Sequence, residues 1–171
     1  MKKQENILRL ISSGHDLKLK ASDGSRLICE ATDVFKHISS NCIKLGINKP
    51  GIATPEILPD VHEMVSDGTF MDIFLELLGN WNEKWLSQDK VVDFCETFPH
   101  WLNQKGLTVF LLKRDENKPI DEMKPGDNLV VVRVLVDNDD LYVSAFHLED
   151  ANVWHGVHRH RVVSPQFPLI K

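Results

Sequence analysis

Residues 106–165 read G-L-T-V-F-L-L-K-R-D-E-N-K-P-I-D-E-M-K-P-G-D-N-L-V-V-V-R-V-L-V-D-N-D-D-L-Y-V-S-A-F-H-L-E-D-A-N-V-W-H-G-V-H-R-H-R-V-V-S-P. Four runs rich in β-branched and aromatic residues stand out: Leu107–Leu112, Leu129–Val136, Leu141–Leu148 and Val153–Val163. Polar segments carrying Pro, Gly, Asn or Asp separate them, which is the pattern of an antiparallel β-meander. Leu129–Val136 is apolar on both faces except at Arg133, so a central strand buried on two sides is expected. Asp137-Asn138-Asp139-Asp140 lacks the glycine and the distal glutamate of a calcium loop and reads as a tight hairpin turn.

Toward the N-terminus the signals turn helical. Thr69, with Asp72 three residues on, is an N-cap for a stripe of Phe70, Ile73, Phe74, Leu77, Trp81 and Trp85, broken in the middle by Gly79-Asn80. Ser87 caps a second helix with Val91, Val92, Phe94 and Cys95 on its inner face, and Pro99 ends it and opens a last turn. A helix carrying Val34, Phe35, Ile38, Cys42 and Leu45 is expected to stop at Gly46. Pro50, Pro55 and Pro59 mark a breaker-rich loop after it. Near the start, Asp23-Gly24 between two mixed runs predicts a hairpin of strands at 16–21 and 26–31.

The class expected is α+β: an N-terminal β-hairpin and helical segment packed on a C-terminal antiparallel β-meander. Residues 1–171 are read as a single domain, with lobes at 1–105 (hairpin plus helices) and 106–171 (sheet). A chain with 42% hydrophobic and 26% charged residues is ordinary globular usage. The net charge of −5 disfavours a broad nucleic-acid or anionic-membrane footprint, and no run reaches the ~20 apolar residues of a membrane span. Three widely spaced cysteines, Cys29, Cys42 and Cys95, form no C-x-x-C pair and read as buried thiols of a cytoplasmic protein.

The chemistry gathers in the last run, V-W-H-G-V-H-R-H-R-V-V. On a regular strand, His158 and His160 share a face with Trp154, while His155, Arg159 and Arg161 point the other way. An H-x-H pair spaces two imidazoles about 6–7 Å apart, workable for zinc or another transition metal. A third ligand would have to come from His62, Glu63, His100 or an aspartate, unless a bulge at Gly156 swings His155 round. His62-Glu63 is half of an H-E-x-x-H motif, whose second histidine position is Ser66. No nucleophile elbow, Walker loop or dinucleotide fingerprint is present.

Two function classes follow. The first is a small non-enzymatic binding or regulatory protein. It would contact an acidic protein surface or small anion through Trp154, His155, Arg159 and Arg161, with His155 able to take up a proton near neutral pH. Two arginines are too few for sequence-specific nucleic-acid recognition. The alternative is a metal-dependent hydrolytic enzyme holding its metal on His158 and His160, with a carboxylate as general base. A third use of the chain, as a structural subunit, would turn the Phe70–Trp85 stripe into an oligomer contact.

Overall fold

The computed structural model describes residues 5–166. Its strands are β1 (Leu8–Leu10), β2 (His37–Ile38), β3 (Pro59–Met64), β4 (Leu107–Lys113), β5 (Leu129–Asp137), β6 (Asp140–His147) and β7 (Arg161–Pro165). They form one seven-stranded sheet in the order β1-β3-β7-β4-β5-β6-β2. The α-helices among the described residues are α1 (Asn41–Lys44), α2 (Phe70–Glu76) and α3 (Gln88–Thr97). The α+β class holds, but the sheet is mixed: β4 runs parallel to β7, and β2 parallel to β6.

Strand alternation divides the interior into two layers. Phe110 and Leu112 of β4, Val130, Val132 and Val134 of β5, and Val163 of β7 pack under α3 with Phe35, Cys42, Val91, Phe94 and Cys95. The intervening residues Val109, Leu111, Leu129, Val131 and Val162 face α2, where Phe70, Ile73, Phe74 and Trp81 cover them. Helices on both faces explain why β4 and β5 carry apolar residues without a break. A tight turn is expected between β5 and β6, and Asn138 and Asp139 make it with both residues at positive φ, 48° and 66°, as in a two-residue type I′ turn.

Helix starts follow their caps. Thr69 Oγ1 accepts from the Asp72 N–H and Asp72 Oδ2 accepts from the Thr69 N–H, a complete reciprocal box. The helix ends at Glu76, with Leu77 already extended and three residues short of the expected Gly79-Asn80 break, and Trp81–Glu83 forms a single 3-10 turn. Ser87 caps α3 by accepting from the Lys90 N–H at 3.4 Å. Pro99–Trp101 forms the turn after α3.

Three expectations are corrected. The Asp23-Gly24 pair makes no hairpin. Gly24, at φ +84°, lies against the Gly51 carbonyl so closely that a Cβ would collide with it, and its N–H donates to Asp89. Residues 16–21 instead run beside the proline loop, with Leu19 bridging Ile57, and Ile28–Glu30 is a 3-10 turn. The helix expected from Thr32 to Leu45 is mostly replaced, because the Lys36 and Ser39 N–H groups donate to Leu141 and Val143 on the edge of β6. That pairing draws the chain into β2 and leaves only α1 before Gly46.

The fourth run of the supposed meander is the third correction. Only Arg161–Pro165 is a strand, and it enters between β3 and β4 rather than beside β6. Gly156–His158 is a 3-10 turn, and Arg159 ends it in the left-handed region at φ 52°. A Cβ on Gly156 would meet the Ser66 backbone at 2.5 Å, so the glycine permits a close crossing of chains instead of a strand.

Candidate functional site

The segment before β7 is fastened to the loop after β3. Gly68 and Trp154 exchange backbone hydrogen bonds of 2.8 and 3.0 Å. Asp67 Oδ1 accepts from the Gly156 N–H at 2.9 Å, and its Oδ2 lies 3.2 Å from His155 Nδ1. The Gly156 hydrogen bond first, then that to His155, hold the Asp67 carboxyl below the usual carboxylate range. Asp67 was not singled out in the sequence, although Ser66-Asp67-Gly68 is a turn-forming triplet in which an aspartate commonly accepts from a nearby N–H.

Because residues 156–159 turn, the two faces expected from alternation merge. Imidazole rings line up along one side: His155 to His158 at 6.5 Å, His158 to His160 at 5.5 Å, and His160 edge-on to Trp154 at 5.7 Å between centroids. Trp154 stacks on Phe70 of α2, and Arg133 of β5 lies 5.8 Å from its ring. A cleft of about 430 Å³ opens between Lys105, Val153, Trp154, His155, His158 and His160.

The arginines separate. Arg161 is half-buried and donates to the Trp101 carbonyl at 2.8 Å, so it fastens β7 to the turn after α3 and is withdrawn from the expected binding patch. Arg159 remains exposed, 3.8 Å from Glu63. Glu63 also pairs with Arg9, so two guanidinium groups share one carboxylate and positive charge is left over. Lys105, on the far side of the cleft, adds to it.

His160 does not suit a metal. It is only 7% exposed, and its Nδ1 accepts from the Leu107 N–H at 3.0 Å. That bond places the ring proton on Nε2, so Nε2 would have to become an imidazolate to bind a metal; ligating histidines ordinarily donate from their second nitrogen. Burial first, then His158 and His155, press the His160 pKa down to about 4. Among the described residues no group of three or more His, Cys, Asp or Glu is placed to hold a metal ion. His62, named in sequence as a third ligand, lies on β3 two positions from Asp60 and faces α2, at a separate cleft. Cys95 is fully buried in the α3 core, its thiol pushed well above the ordinary range, which removes it as a nucleophile.

The second cleft, about 290 Å³, lies over β1, β3 and β7 beside the end of α2. Asp60 and His62 share its floor, and Ser164 is the cross-strand partner of Asp60. Glu76 is committed there, its two oxygens accepting from the Ile7 and Leu8 N–H groups at 2.6 Å each. Lys84 is committed too, donating to the Phe74 carbonyl at 2.7 Å. No family model, no curated protein and no solved structure matches the chain.

Proposed function

We propose that this protein is a non-catalytic binding protein that receives an acidic group of a partner protein at the turn 152–159. The observation that carries the reading is Val157, 81% exposed at the tip of a turn that is nonetheless firmly held. Val153, four residues earlier, is 52% exposed. An apolar tip on a loose loop is unremarkable; one on a segment fixed by the Gly68–Trp154 bridge and by Asp67 is preorganised for contact. Lys105 in the cleft and the exposed Arg159 two residues after Val157 favour a carboxylate-bearing partner, while His155 and His158 offer further donors in the cleft.

The test uses nuclear magnetic resonance of the whole chain titrated with a synthetic peptide alternating glutamate and leucine. Backbone shifts are expected at Lys105 and across residues 152–159, weakening with added salt because exposed charges are screened. Val157→Asp with Lys105→Glu should abolish them. Absence of any saturable shift at about 1 mM peptide, an affinity limit near 4 kcal/mol, would retire the reading.

A further inference from the structure

The cleft over β1, β3 and β7 carries a different chemistry from the turn. Asp60 and His62 lie on one face of β3, two residues apart. His62 Nδ1 is buried and has no hydrogen-bond partner among the described residues. Asp60 accepts no side-chain hydrogen bond from them either, and burial pushes its carboxyl above the ordinary range. Buried polar atoms are nearly always satisfied, so an unpartnered His62 Nδ1 beside a half-buried, unpaired Asp60 calls for an explanation. Perturbed groups in a cleft are where ligands are held.

The lining gives the class of ligand. Asp60, Glu76 and Glu83 are acidic, and the one cation, Lys84, is turned to the Phe74 carbonyl and the Trp81 ring, 4.6 Å from its centroid. The field in the cleft is therefore negative. Leu8 and Leu77 make the apolar wall, and Leu10 and Leu78 stand exposed at its rim, Leu78 by 73%. We propose that this cleft binds a small organic cation, a primary amine with a short apolar body, its ammonium on Asp60 beside His62 and its alkyl part against Leu8 and Leu77.

Such a ligand would give Asp60 the counter-charge it lacks, and its volume would suit a cleft at the small end of ligand sites, roughly 300 Å³. Glu76 would not take the ammonium, since both its oxygens already hold the β1 backbone. It fixes the wall instead. The site is independent of the 152–159 turn, and its failure or success leaves that reading untouched.

The probe is n-butylamine, with 1-butanol and butyrate as neutral and anionic comparators. Methyl resonances of Leu8 and Leu77 and the His62 ring are expected to shift saturably with the amine, with at least about tenfold weaker response to either comparator. D60N should weaken amine binding by about tenfold or more while melting at or above the wild-type temperature, because the carboxylate it replaces has no partner to lose. L77W, which fills the cleft, should remove the amine response without touching Asp60. No saturable shift, or equal binding by D60N, or equal binding of 1-butanol, would overturn the assignment.

Discussion

His160 and His62 are both held below the ordinary imidazole range by burial, and both lie on chain that meets at the β3–β7 pair, where the His160 carbonyl accepts from the Met64 N–H at 2.7 Å. They differ in one respect. His160 is used: its Nδ1 accepts the Leu107 N–H and its ring fills the space between Trp154 and His158. His62 is not, since its buried Nδ1 meets no partner among the described residues. The conspicuous histidine of the H-x-H pair is thus an interior fastening, while the inconspicuous one keeps free bonding capacity. Residue type alone did not distinguish them; the neighbouring backbone did.

The sharpest way to break this comparison is to replace each histidine by leucine. His160→Leu leaves the Leu107 N–H buried without an acceptor and should cost about 2–3 kcal/mol in chemical denaturation. His62→Leu removes a group that was never satisfied and should cost less than about 1 kcal/mol, or stabilise. Equal losses from the two would erase the distinction.

A second expectation concerns pH and is of comparable size. The folded His160 pKa of about 4 lies below its ordinary 6.5, so the unfolded chain binds the proton more readily between those values. The contribution is fully present above pH 6.5 and is lost as pH falls toward 4, by on the order of 2 kcal/mol. His62, lowered by burial, acts in the same direction. Denaturation midpoints measured across this window should fall with acid in the wild type and fall less in His160→Leu.

The arginines give the smallest effects and the finest test. Arg161→Ala loses the bond to the Trp101 carbonyl and should cost about 1 kcal/mol. Arg159→Ala, exposed and sharing Glu63 with Arg9, should stay within about 0.5 kcal/mol. The reverse ranking would mean that the exposed guanidinium, not the anchored one, holds this end of the sheet.

What could be read in the sequence was what neighbours in the chain decide. The β5–β6 hairpin was legible because its apolar runs and its Asp137–Asp140 turn are local, and the caps at Thr69 and Ser87 because a cap and the N–H it serves lie three residues apart. β3 was missed: P-D-V-H-E-M looks polar, and only its position between β1 and β7 makes Val61 and Met64 interior. The His/Arg segment reads as one strand in sequence and folds as a turn followed by a shorter strand. Gly156 was noted as a possible bulge, but its real constraint, the crossing of Ser66 and the Asp67 hydrogen bond, comes from a loop distant in sequence. No local pattern announces that Leu107 would supply the N–H for His160.

The place of β7 in the sheet has a consequence for how the chain assembles. β4, β5 and β6 follow one another in sequence and pair as neighbours, yet β7 must slot between β4 and the much earlier β3. Until it does, the molecule is two half-sheets, each with a bare inner edge and no seam between them. Joining distant segments raises contact order and slows folding, and bare edges are where chains stick to one another. Insertion of this five-residue strand is expected to come late, so pulse-labelled hydrogen exchange during refolding should protect β7 after β5 and β6.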